Sequence, residues 1–251
     1  MTDSIGDRMK DFYENRTRYQ LPRRTYTILR VDGRAFHTWT KGLTKPYDPE
    51  FMECMDAAAI ALCKEVAGAK FAFVQSDEIS LLATDFDELD SQAWFDGNIQ
   101  KWASVSSGIA TAAFNEKVAN YFSIVGHSPV ISSKKPNAVF DARVFTIPSS
   151  IEVSNYFIWR QQDAERNSVT LLASNYASHK QLHGKNSSER HEIIHNAGDN
   201  WANHPVRFKH GGIVRKYVDE SLNRTEWKVD TSTPVFTKDR EYLQNLIPKM
   251  N

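Results

Sequence analysis

Apolar positions along this chain fall into blocks whose period switches between that of a strand and that of a helix. Residues 25–32 are rich in β-branched and aromatic types and read as a strand. From Glu50 to Val66, Phe51, Met55, Ala58, Ala59 and Leu62 recur at helical spacing, and Gly68 closes that helix. Two apolar runs, about 70–75 and 78–84, read as strands with Ser76-Asp77 at the turn between them. Residues 92–117 give a second helix, with Trp94, Ile99, Trp102 and Val105 on its apolar side, and Val139 to Ile147 give a fourth strand. A charged helix over 3–20 leads in, and 39–49, 85–90 and 123–138 read as loops. The order β-α-β-β-α-β predicts the split βαβ of an α+β, ferredoxin-like fold. In that fold the first and third strands are central neighbours. The ends of strands one and two and the hairpin after strand two then meet at one edge.

Beyond Pro148 the pattern predicts a long helix over 150–178 and a shorter one over 187–198. Phe208 to Val218 carries His210-Gly211-Gly212 between two β-rich runs, a hairpin signal. The predicted organisation is a catalytic core over 1–148 that includes the N-terminal helix and an extension over 149–251, packed together as one structural unit.

Composition narrows little. The chain has 251 residues, 41% hydrophobic and 25% charged, the balance of an ordinary soluble protein. Lys plus Arg equals Asp plus Glu at 31 each, so net charge points to no polyanion partner, although a local basic face can still bind RNA. No apolar signal core or membrane span is evident, and the two cysteines, Cys54 and Cys63, are expected as free thiols in a reducing cytoplasm.

Candidate chemistry lies at the strand ends. Asp32 follows one apolar run and Asp77 the next, and a carboxylate at the end of a buried strand is costly unless its charge is compensated. Side by side, the two could hold hard divalent cations against a nucleoside triphosphate. Gly33 allows close backbone approach and a carbonyl ligand. Glu78 follows Asp77 directly, so in a strand it points to the opposite face unless the turn bends the chain. Arg30, Arg34, Lys41 and Lys45 surround the first acid as a candidate triphosphate clamp. His191-Glu192-Ile193-Ile194-His195 matches a zinc-protease pattern, but the extended motif is absent and the helix is expected to end nearby. Neither glycine-rich phosphate loop is present, which favours a palm-like polymerase or cyclase site.

A co-linear set of motifs carries a resemblance. Val31-Asp32-Gly33-Arg34-x-Phe36-His37, Lys45-Pro46-x-Asp48 and Gln75-Ser76-Asp77-Glu78-x-Ser80 are similar to the core of histidine-tRNA guanylyltransferases, as are Phe140-Asp141-Ala142-Arg143-Val144-Phe145 and Tyr156-Phe157-x-Trp159-Arg160-Gln161-x-Asp163. The resemblance spans about residues 30–170 and implies a polymerase palm-like fold. It implies nucleotide addition to the 5′ end of tRNA: adenylylation of a 5′-phosphate by ATP, then attack by the 3′-hydroxyl of GTP or another nucleoside triphosphate. It implies two Mg²⁺ on Asp32, Gly33 and Asp77, with Glu78 a further acid of less defined role. Arg34, Ala35, Phe36, His37, Lys45, Asp48 and Ser76 are then expected at the nucleotide. Lys101, Arg160, Asn167, Lys209 and Arg215 are candidates for the RNA side. Relatives form homotetramers.

After Asp163 the eukaryotic run Cys-His-Ile-Asn is replaced by Ala164-Glu165-Arg166-Asn167, with Glu165 at the histidine position. This resembles the bacterial and archaeal branch, which rebuilds truncated tRNAs by templated addition. Two other classes remain open at this stage. A tRNA-binding protein without catalysis would leave truncated tRNA unextended, and a cyclase-like enzyme would make product from nucleotide alone.

Overall fold

A computed structural model describes residues 4–122, 134–219 and 224–250. Six strands form one antiparallel sheet in the order β4-β1-β3-β2-β5-β6: β1 (Tyr26–Gly33), β2 (Ala69–Gln75), β3 (Glu78–Thr84), β4 (Phe140–Ile147), β5 (Gly212–Asp219) and β6 (Arg224–Asp230). The first four keep the ferredoxin-like order, with β1 and β3 adjacent at the centre. β5 then pairs with β2 and carries β6 outward, so the C-terminal third widens the same sheet.

Alternation along the strands assigns the two faces. Leu29, Val31, Ala72, Val74, Ile79 and Leu81 pack with Met55 and Leu62 of α3 (Pro49–Glu65) and Phe114 and Val118 of α4 (Ile99–Phe122). Tyr26, Ile28, Phe71, Phe73 and Leu82 face the other way, onto Val153, Tyr156 and Phe157 of α5 (Ser150–Ala173). β2 and β3 are covered on both sides and are buried almost throughout. Asp48 starts α3 by accepting from Phe51 N (3.0 Å), with Pro49 in the first turn.

Several boundaries differ from the sequence expectation. The lead-in helix α1 spans only Ile5–Phe12, followed by a 3₁₀ turn at Glu14–Thr17. The second helix begins at Ile99 and runs to Phe122, because Phe95, Asp96 and Gly97 take positive φ (48°, 53° and 72°) and break the pattern ahead of it. α5 stops at Ala173, and short helices α6 (His179–Leu182) and α7 (Ser187–Asn196) follow. The expected loop at 123–138 falls mostly outside the described residues.

The hairpin expected at His210-Gly211-Gly212 is a correction. Val206–His210 forms a short helix, α8, and the hairpin is β5–β6. Gly211 serves as a close-approach joint between them. Its φ is 76°, and a Cβ there would stand 2.5 Å from the Phe73 ring.

An aromatic cluster holds the first βα junction against the helices. Phe114 is fully buried, with Trp39, Phe36 and Phe140 ring centroids at 5.1, 5.4 and 5.4 Å. Phe114→Ala is expected to cost about 3–5 kcal/mol in urea denaturation. Ile151→Ala, at a 72% exposed position, should cost under about 0.5 kcal/mol.

Candidate active site

The end of β1 and the β2–β3 turn are tied together by backbone. Gln75 and Glu78 are the closing pair of the hairpin, and Ser76 takes a φ of 46° to turn the chain in two residues. Gly33 N donates to the Asp77 carbonyl at 2.9 Å. Asp32, on β1, lies opposite Glu78 on β3 and opposite Asp141 on β4, so these three carboxyls share one face of the sheet. Arg30 Nε and Arg143 Nη2 stand 3.4 and 3.3 Å from Asp32 Oδ2. Burial pushes the Asp77 carboxyl above its ordinary value, and the charge of Asp32 adds to that push.

The donor chemistry fits a hard cation. Asp32, Asp77 and the Gly33 carbonyl are oxygen donors on chain segments tied together by the Gly33 N to Asp77 O bond, and a cation would relieve the push that burial, with the Asp32 charge, exerts on the Asp77 carboxyl. Among the described residues no cluster of three or more His, Cys, Asp or Glu forms a metal cage. Two carboxylates and a carbonyl leave coordination positions open for phosphate oxygens. A Cβ on Gly33 would stand 2.4 Å from the Phe36 ring, so the aromatic cluster admits only glycine beside Asp32.

Glu78 does a different job. Arg160 of α5 grips it with two hydrogen bonds, Nε to Oε1 at 2.7 Å and Nη2 to Oε2 at 2.8 Å, and also donates to Asp163 at 2.9 Å. Burial pushes the Glu78 carboxyl up, and Arg160 opposes that push. The two-pronged grip is the geometry of an ionised carboxylate. Glu78 therefore fastens α5 to the hairpin, and Arg160, a candidate for RNA, is buried in that fastening. This corrects its expected role: the guanidinium is fully engaged inside the protein.

On the other side of the turn lies a cavity of about 180 Å³. Lys45, Tyr47, Asp48, Ser76, Asn167 and Phe208 are among the residues that line it. Asp48 is buried, and its two oxygens receive Thr44 N and Phe51 N, so its side chain shapes the cavity wall as a helix cap. Nearer the acids, Ala35 adopts the left-handed conformation (φ 56°) ahead of the short helix α2 (Phe36–Trp39). Arg34 N is held by Val139 O (2.8 Å), while the Ala35, Phe36 and His37 amides bond to no backbone carbonyl among the described residues. Arg34, His37 and Lys45 are exposed around them.

Other expected site residues are dispersed. Lys101 lies over the Phe95 ring at 5.4 Å. Lys209 turns inward to the Ala202 carbonyl and the Trp201 ring, and Arg215 is absorbed by Asp230 and Tyr217. Lys209 is thereby a correction to an RNA-facing expectation, whereas Arg215 keeps about a third of its side chain (34%) exposed. The amphipathic stem of Lys209 covers apolar surface, and Arg215 sits on an internal strand between two partners. His191 and His195 lie exposed on α7 and share no metal cluster. Both cysteines are buried free thiols, with Cys54 pushed up to about 12 by burial. Sequence reasoning assigned no role to Arg143, Tyr47 or Phe208. Arg143 falls within a quoted motif two residues after Asp141, a usable signal, whereas Phe208 was hidden in the misread hairpin.

A ferredoxin-like sheet with Asp32 at one strand end and Asp77 in the adjoining turn is the framework of a palm-type nucleotidyltransferase. A model of the tRNAHis guanylyltransferase (Thg1) family matches residues 6–148, more than half of the chain, and the chain belongs to that family. A bacterial tRNA(His) guanylyltransferase-like protein solved in complex with ATP is 41% identical, with 99% of this chain and 100% of that one covered and a TM-score of 0.85. The corresponding complex with GTP is also 41% identical, covers 97% and 99%, and has a TM-score of 0.81. The tRNA(His) guanylyltransferase of Schizosaccharomyces pombe is 28% identical over 81% of this chain and 78% of its own length. Among the described residues no helix is long and apolar enough to cross a membrane.

Two outcomes test the electrostatics. Arg160→Met strips the buried Glu78 of its two-pronged partner, leaving Arg30 at 3.8 Å, and is expected to cost about 3 kcal/mol, the low end for breaking a buried pair. Adding Glu78→Gln should restore much of that loss in the same denaturation assay. For Asp77, a folded-state pKa raised above the unfolded one means that stability falls as pH rises through it. Asp77→Asn is therefore expected to raise the metal-free Tm at pH 7 but not near pH 3, while Mg²⁺ should raise the Tm of the parent protein only.

Proposed function

We propose that the protein adds nucleotides to the 5′ end of tRNA in the 3′–5′ direction, on a template, and that truncated tRNAs are its substrates. The observation that carries this reading is the joining of Asp32, Gly33 and Asp77 at one strand edge by the 2.9 Å bond from Gly33 N to Asp77 O, beside the cavity. The ATP and GTP complexes of the 41% identical relatives support a nucleoside triphosphate as the bound reactant.

In this reading Asp32, the Gly33 carbonyl and Asp77 hold two Mg²⁺, which when bound supply Lewis-acid activation of the attacking oxygen and neutralisation of the triphosphate. The chain's own residues place the reactants. The left-handed turn at Ala35 aims the Ala35, Phe36 and His37 amides at phosphate oxygens, a nest for an anion. Arg34 and Lys45 neutralise the triphosphate from its exposed side. Ser76, Tyr47, Phe208 and Asn167 receive the nucleoside.

Two displacements then follow. An oxygen of the tRNA 5′-phosphate attacks the α-phosphorus of ATP, a P–O–P bond forms, and pyrophosphate leaves. The 3′-hydroxyl of the incoming nucleotide next attacks the tRNA phosphorus, losing its proton, and AMP leaves. The chain assembles as a homotetramer in this reading. The exposed apolar residues of α1, Ile5, Met9 and Phe12, are surface that such an assembly covers.

The test is a 5′-extension assay on truncated tRNA with ATP and labelled GTP. Asp32→Ala and Asp77→Ala are each expected to abolish addition, a loss of at least about 10³-fold, while tRNA affinity stays within about two-fold. Addition retained by either variant overturns the assignment, and cyclic or dinucleotide product formed without RNA overturns the reaction.

A further inference from the structure

Trp159 is the most exposed of the six tryptophans, at 46%, and none of the chemistry above uses it. It is nevertheless held firmly. The Arg160 guanidinium lies over the indole at 4.2 Å, and the Tyr156 ring meets it edge-on at 5.8 Å and 66°. Arg160 is itself immobilised by Glu78 and Asp163, and Tyr156 by Ser80 at 2.9 Å. A half-exposed indole fixed by two buried neighbours presents a rigid, preorganised apolar surface to solvent.

Its position is tied to the acids by contacts. Tyr156 packs on Phe145 of β4 at 5.7 Å. Arg143, two residues back on the same face of β4, reaches Asp32 at 3.3 Å and remains half exposed. Trp159 is therefore linked to the carboxylates from the β4 side, and more directly through Arg160, which grips Glu78 opposite Asp32. The cavity meets them from the β2 side, through Ser76 and the later part of α5 at Asn167. The two aromatic-walled places flank the reacting point.

We infer that Trp159 is the stacking platform for the base of the RNA 5′-terminal nucleotide. The inference rests on the proposed function: a reaction joining two nucleotides needs two base positions, and the cavity takes the triphosphate's. The ligand is the π-face of a nucleobase, which any sequence supplies. Arg143 is the cation beside that surface for the attached phosphate.

The test measures binding apart from chemistry. Truncated tRNA labelled at its 3′ end is titrated by fluorescence anisotropy with a normal or an abasic 5′-terminal nucleotide. The parent protein is expected to favour the normal end by about 5- to 150-fold, the range of one base stacked on an aromatic ring. Trp159→Ala should bind both at the abasic level, and Trp159→Phe should keep most of the preference. In the extension assay Trp159→Ala should raise the KM for tRNA and leave that for ATP unchanged. A preference that survives Trp159→Ala, or a KM change confined to ATP, overturns the assignment. Base-dependent binding without nucleotide addition sinks the proposed reaction and leaves the platform standing. Addition with no base dependence sinks the platform alone.

Discussion

The central constraint on this fold is electrostatic. Acidic side chains end strands whose other residues form the core, and each acid must be answered. Glu78 is answered by Arg160, through the pair of bonds at 2.7 and 2.8 Å that fastens α5 across the sheet. That fastening holds the β2–β3 turn in place. The turn in turn receives the β1 strand end through Gly33 N and Asp77 O. Asp32 is only partly answered by Arg30 and Arg143, and Asp77 is left with a raised proton affinity. Glu78 is taken up by the architecture, and Asp32 and Asp77 are the two acids proposed for a cation.

This division explains a trade between stability and function. A carboxylate kept ionised against its surroundings weakens the metal-free fold, and the same imbalance is what a cation would relieve. The aromatic cluster around Phe36 and Phe114 offsets the cost nearby. It packs rings directly beneath the strand end, and the Gly33–Phe36 approach leaves no room for a side chain there. The site is thus anchored on one face by rings and on the other by an ion pair. Trp159 belongs to the second anchor, since the guanidinium that grips Glu78 also fixes the indole.

Much of the fold was legible in the chain because its signals are local. The helix over Pro49–Glu65 combines an N-cap, a first-turn proline and helical spacing, and it lies within one residue of its expected ends. The hairpin turn at Ser76-Asp77 was legible for the same reason. The failures have physical causes too. Positive φ at Phe95 and Asp96 delayed the start of α4 against a continuous apolar pattern. The pair Gly211-Gly212 carries the composition of a hairpin turn, but the Phe73 ring packs against Gly211 and needs a residue without a side chain.

The sequence by itself determined the order of elements and the placement of Asp32 and Asp77 at strand ends, since period and turn chemistry act over a few residues. The motif set also carried the likeness to tRNAHis guanylyltransferases. Only the tertiary structure decided which charges are free to act. Lys209 and Arg160 are basic in the sequence but buried against inward partners, whereas Arg143, though paired with Asp32 and Asp141, and Trp159 stay about half exposed. The reason is that a charge's availability depends on what opposes it across the sheet. For Arg160 that opponent is Glu78, 82 residues away in the chain, and no local pattern records it.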